Sequence, residues 1–155
     1  MNALEHLEDD ARKENIDIIP YHFENERIKG LYCDGVIGIS KNIGTSTEKT
    51  CILAEEIGHH HTTTGNIIDM SNPSNRKQER RARLWGYDQL IGLQGIINAY
   101  VAGCKNRYEM AEYLGVTEEF LQECIDTYCE KYGMGIRLGN YCVTFVPNLM
   151  VGKIT

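Results

Sequence analysis

Residues 53–61 read Leu53-Ala54-Glu55-Glu56-Ile57-Gly58-His59-His60-His61. Successive side chains on a helix turn by about 100°, so positions four apart lie about 40° apart. Glu55 and His59 therefore project from one face, one turn apart, with Glu56 on its flank. Leu53 and Ile57 occupy the adjoining arc. The acids thus border the apolar side of the helix and need not face open water. Charge taken toward an interior without a partner is costly, and a divalent cation would supply the partner. His60 and His61 point about 100° and 200° away from His59, toward the flank or the surface.

The flanks place this helix in an α+β pattern. Ala3, Leu4, Leu7 and Ala11 have amphipathic helical spacing. Residues 16–23, IDIIPYHF, read as a strand that Pro20 restricts to a sheet edge. IKGLYC and VIGIS flank Asp34-Gly35, the signature of a hairpin with a two-residue turn. Thr45 and Glu48 form a capping box, so the helix through LAEEIGHHH should start near Ser46 and fray after His61. A polar loop follows over residues 65–75. Asn75 with Gln78 reads as the next N-cap, and Gly92 and Gly95 as a break before IINAYVAG. Asn106 caps a short helix, and Thr117 a longer one that ends at Gly133. The tail reads as a terminal strand pair. Residues 1–102 would form the core, and residues 103–155 a helical extension packed on the same domain.

The chain has 155 residues, 16 Lys plus Arg, 22 Asp plus Glu and a formal net charge of −6. That length makes one domain without disulfide staples. The acidity disfavours general phosphate binding, because nucleic-acid affinity rests on cations that release counterions. The six cysteines form no CxxC pair, which disfavours a Cys-based zinc site. The N-terminus, MNALEHLEDD, carries acids where a signal peptide has a basic flank, and no apolar run approaches a membrane span. The expectation is a cytoplasmic protein, off the membrane, with reduced and mostly buried thiols.

Glu55-Glu56-x-x-His59 has the geometry of the H-E-x-x-H zinc helix with the first His replaced by Glu. In that design the outer residues hold the metal, and the inner Glu takes a proton from the attacking water. The next helix offers a third ligand, Glu79. It shares a face with Ala82 and Gly86, small residues that permit close approach of another helix. The competing reading of Glu79 is ion pairing with Arg80, Arg81 or Arg83. Asp69 is a candidate acceptor for the second nitrogen of His59, or simply an exposed loop acid.

LAEEIGHH, standing for L-x-H-E-x-G-H, together with Glu79-Arg80-Arg81-Ala82 ahead of Trp85 and Leu90, resembles the ImmA/IrrE-type metallopeptidases of phages, mobile elements and stress-response systems. The resemblance implies a minimal zincin-like fold: a small antiparallel sheet, an active-site helix and a helical C-terminal part. Carried over, Glu55 takes the place of the first His ligand, Glu56 matches the catalytic Glu, His59 the second His and Glu79 the third ligand. The implied activity is metal-dependent endopeptidase action on a protein, in this family often a helix-turn-helix repressor. The implied metal is zinc, and the carboxylate-rich shell also admits manganese or iron. A His₂Glu set leaves Zn²⁺ with formal charge +1, whereas Glu55, His59 and Glu79 make it neutral, which weakens polarisation of a carbonyl. The alternative is therefore a zincin-like module that binds a repressor without turnover.

A third reading is a DNA-binding regulator. Met110–Thr117 continuing to Leu121 and Ile125 has helix-turn-helix spacing. Its second helix, TEEFLQECIDT, holds Glu118, Glu119, Glu123 and Asp126 and no Lys or Arg, so phosphates would repel it. No direct nucleic-acid partner is expected. The basic run Arg76, Lys77, Arg80, Arg81 and Arg83 could steer an acidic segment toward Glu79, or be a solvated helix face.

Overall fold

Helix α1 (Ala3–Lys13) begins where the Asn2 side chain accepts from the Glu5 N–H, and it buries Leu7 and Ala11. The chain then enters strand β1 (Asp17–Tyr21), followed by β2 (Gly30–Cys33) and β3 (Val36–Ser40). The β2–β3 turn carries φ of 46° at Asp34 and 81° at Gly35. Two positive values are what a type I′ hairpin turn needs, which is why Asp-Gly marks the site. The computed structural model describes residues 2–62 and 73–154, without side-chain detail at 73–75. Asp69 lies outside the described residues.

The first sheet has the order β1-β3-β2. β2 pairs antiparallel with β3, as the hairpin requires, but β1 joins the other side of β3 in parallel. The sheet is thus mixed rather than antiparallel throughout. The long excursion from Tyr21 to Gly30 lets β2 take the far edge, and the hairpin brings β3 back beside β1. Pro20 sits on edge strand β1, where its missing N–H leaves no gap in a ladder.

Helix α2 (Ser46–Thr62) lies against α1, β2 and β3. Thr45 Oγ1 accepts from the Glu48 N–H at 3.1 Å, the expected cap. Helix α3 (Pro73–Leu90) starts earlier than the Asn75 cap reading placed it. Proline suits a first helical position, where its absent N–H is not needed. At Gly58 a Cβ would stand 2.3 Å from the Ala82 carbonyl oxygen, and at Gly86 3.5 Å from the Ala54 Cβ. Small residues on both helices, Ala54 and Gly58 against Ala82 and Gly86, set this close crossing.

The described chain divides into two compact units, residues 1–86 and 87–155. In the second unit, α3 ends at Leu90 and Gly92, with φ of 66°, turns the chain into α4 (Gly92–Val101). Gly95 lies inside α4 and breaks nothing; its bare face meets Leu114. Helices α5 (Arg107–Leu114) and α6 (Glu118–Tyr132) carry the expected Asn106 and Thr117 caps, with Gly115 left-handed between them. The tail forms three antiparallel strands rather than two, β4 (Gly135–Leu138), β5 (Tyr141–Thr144) and β6 (Met150–Lys153), in that order. The core of this unit includes Ile96, Ile97, Leu121, Cys124, Tyr128 and Val143.

All six cysteines are free, but only Cys51 and Cys124 are buried, Cys33 being exposed, so the expectation of mostly buried thiols does not hold. Among the described residues no helix is long and apolar enough to cross a membrane.

Candidate metal centre

Helix α2 delivers Glu55, Glu56 and His59, and α3 delivers Glu79. The spacing that places Glu55 and His59 on one face holds, and the Gly58–Ala82 contact presses that face onto α3. One donor atom each from Glu55, His59 and Glu79 fall within 4.8 Å of one another. His59 Nε2 is 3.0 Å from Glu79 Oε2, and the His59 side chain is 5% exposed. Burial at this level explains why His59 takes a carboxylate partner.

Arg83 closes the outer side. Its Nε lies 3.3 Å from Glu55 Oε1 and 3.3 Å from Glu79 Oε1. The ion-pair reading of Glu79 and the ligand reading therefore describe the same cluster. Arg83 is one of the three partners that the sequence offers Glu79, and the structure shows that pair. Its i, i+4 spacing from Glu79 was the available signal, but the second arm, to Glu55, spans 28 positions and has no local trace.

Glu56 is buried, at 8% exposure, one position on from Glu55. Edge strand β2 forms its wall. The Tyr32 backbone N–H donates to the Glu56 carboxylate. A Cβ at Gly30 would lie 2.7 Å from Ile52 Cγ2 and 3.1 Å from Glu56 Oε2, so only glycine lets the strand pass there undisturbed. Neither the Tyr32 contact nor the Gly30 cradle was anticipated, since both depend on how the sheet seats against α2.

Electrostatics follow from three carboxyls brought close together, Glu56 buried and Glu55 and Glu79 half-buried. Burial pushes Glu56 up to about 7, the Glu79 charge adding to it while His59, the Tyr32 N–H and Arg83 oppose it. Burial likewise raises Glu55, reinforced by its hydrogen bond to Glu79 and by the neighbouring negative charges. Burial alone would also raise Glu79, but hydrogen bonds from His59 and Glu55, with the charges of His59 and Arg83, hold it below the usual carboxylate range. Without a cation, Glu55 keeps a proton and shares it with ionised Glu79.

The other two histidines of the triplet serve the scaffold. The Tyr32 hydroxyl and His60 Nδ1 are 2.8 Å apart, and that hydroxyl accepts from the Gly35 N–H at 3.1 Å. His61 stacks on Trp85 with ring centroids 4.8 Å apart.

The family model of the IrrE N-terminal-like domain, Peptidase_M78, matches residues 11–125. The chain belongs to this family. It is a metallopeptidase-like family, and the α+β fold with its helix-borne Glu and His cluster accords with it. No curated protein matches the chain. One imidazole and two carboxylates on facing helices make an N/O donor set that suits zinc, manganese or iron. The residues present thus fit the metal the family implies.

Proposed function

We propose that this protein is a metal-dependent endopeptidase whose substrate is a helix-turn-helix repressor of a phage or mobile element. The observation that carries the reading is the convergence of Glu55, His59 and Glu79 beside buried Glu56. These three residues would hold the ion, and a bound Zn²⁺, Mn²⁺ or Fe²⁺ would supply Lewis acidity toward water and a peptide carbonyl.

The remaining work falls to the chain's own groups. Glu56, raised to about 7 by burial, is poised to take a proton from the attacking water at one carboxylate oxygen and return it to the leaving nitrogen. The Tyr32 N–H fixes the orientation of that carboxylate. Strand β2 lies at the sheet edge beside Glu56, where an extended peptide would add by strand pairing.

Metal analysis of the purified protein, with Glu55→Ala and His59→Ala, tests the site. Metal bound by wild type and lost in both variants supports it; a metal-free wild type ends it. Glu56→Gln tests the chemistry, with repressor cleavage as the readout. The second reading is a docking module without turnover, favoured by the carboxylate at position 55. It predicts that Glu56→Gln leaves repressor control in cells intact.

A further inference from the structure

Two carboxylates and one imidazole carry a formal charge of −2, so with a divalent ion they sum to zero. The His₂Glu set common in catalytic zinc sites leaves +1. The structure holds a further charge at this place. The Arg83 Nε stands 3.3 Å from an oxygen of Glu55 and 3.3 Å from an oxygen of Glu79, on the same helix as Glu79 and one turn after it. A guanidinium does not lose its proton under ordinary conditions. Counting it, the filled cluster returns to +1.

We propose that Arg83 is the built-in counter-cation of the carboxylate-rich centre, restoring the positive charge that a second histidine would have left. The inference rests on the metal reading of Glu55, His59 and Glu79. Arg83 acts through the two carboxylates rather than on a substrate, so it is a positioning residue. Empty, the cluster uses Arg83 to hold Glu55 and Glu79 side by side, ready for an ion. Filled, the guanidinium draws electron density from both carboxylates and leaves the ion more electrophilic, at the expense of affinity.

That trade has a sign that separates it from simple anchoring. A cation beside a cation site weakens cation binding, so removing the charge should tighten it. With the Arg83 side chain 51% exposed, solvent screens the effect to the order of tenfold in affinity.

The experiment measures Zn²⁺ and Mn²⁺ dissociation constants by chelator competition for wild type, Arg83→Gln and Arg83→Lys. Arg83→Gln keeps a hydrogen-bonding group and removes the charge; Arg83→Lys keeps the charge and loses the fork. The expected result is roughly tenfold tighter binding in Arg83→Gln, near-wild-type binding in Arg83→Lys, and slower peptide cleavage in Arg83→Gln with the loss in kcat. Tighter binding cannot arise from a damaged fold. Unchanged or weaker binding in Arg83→Gln overturns the inference and leaves Arg83 as an anchor, the metal reading intact. A folded wild type that binds neither ion removes both.

Discussion

Replacing Gly58 by Ala pits two effects of opposite sign against each other. Ala is favoured over Gly in a helix interior by about 1 kcal/mol, so local propensity predicts a more stable protein. The crossing of α2 and α3 predicts the reverse. The new Cβ would lie 2.3 Å from the Ala82 carbonyl oxygen and 3.1 Å from its Cα, where ordinary contact begins at 3.4 Å. The obstacle is backbone, which has no rotamer to escape into, so the helices must part by about 1 Å at this point. Overpacking of this kind costs about 1–3 kcal/mol, and a backbone clash belongs at the upper end. The net expectation is a loss of about 2 kcal/mol, or about 4–8 °C in Tm for a chain of this size. His59 follows Gly58 directly, and Glu79 lies one turn before Ala82. Opening the crossing therefore stretches the 3.0 Å His59–Glu79 contact past hydrogen-bond range. Zn²⁺ affinity should fall by at least about tenfold, as it does when ligand support is lost. Thermal melts with and without Zn²⁺, together with chelator competition, read both quantities. A Gly58→Ala protein that melts at or above wild type and binds Zn²⁺ equally well refutes the crossing as the element that assembles the centre.

Three further outcomes are expected. The folded state keeps protons on Glu56 and Glu55 that the unfolded chain releases above the ordinary value of 4.5. Their contribution to the metal-free protein is thus fully present below pH 4.5 and is lost as pH rises through about 7, where Glu56 titrates. Urea midpoints should fall from pH 5 to pH 8, and saturating Zn²⁺ should flatten the decline; a midpoint that climbs over that range contradicts the site's electrostatics. Glu56→Gln should retain Zn²⁺ while cleavage drops by about 10²–10⁴-fold, since only proton transfer is removed; lost metal binding would place Glu56 among the ligands instead. Tyr128→Phe removes the hydroxyl that donates to Asp88 Oδ1 at 2.5 Å from a fully buried ring. Urea unfolding should show a loss of about 1–2 kcal/mol with metal affinity unchanged, and a drop in affinity would show that the centre depends on the second unit.

Much of the fold is legible because it is written in short-range chemistry. The Thr45, Asn106 and Thr117 positions announce helix starts through side chains that reach a backbone N–H three residues on. Asp34-Gly35 announces its hairpin through the need for positive φ, which an αL-tolerant residue and glycine meet. Errors cluster where local signals compete. Asn75 and Gln78 carry a plausible cap, yet Pro73 already occupies the first turn of α3. Gly92 and Gly95 look alike as breakers, but only Gly92 takes a positive φ; Gly95 is spent on making room for Leu114. The tail holds three strands where a pair was expected, because each is only four residues long and too short for periodicity to separate.

The candidate centre divides the same way. That Glu55, Glu56 and His59 share a helical margin follows from about 100° per residue and needs nothing beyond the string LAEEIGHH. The small residues of α3 on the Glu79 side are also readable, as an invitation to close packing. Which helix accepts that invitation is not. Gly58 facing the Ala82 carbonyl, Arg83 joining carboxylates from two helices and the Tyr32 N–H meeting Glu56 all join residues far apart in the chain. So does the parallel pairing of β1 with β3. Such contacts form when buried faces are brought together, and no periodicity along the chain encodes them. The sequence alone determined what chemistry the helix could carry; the packing of α2 against α3 and β2 decided that Glu56 is buried, that half-buried Glu55 and Glu79 come together, and that a fixed positive charge lies beside them.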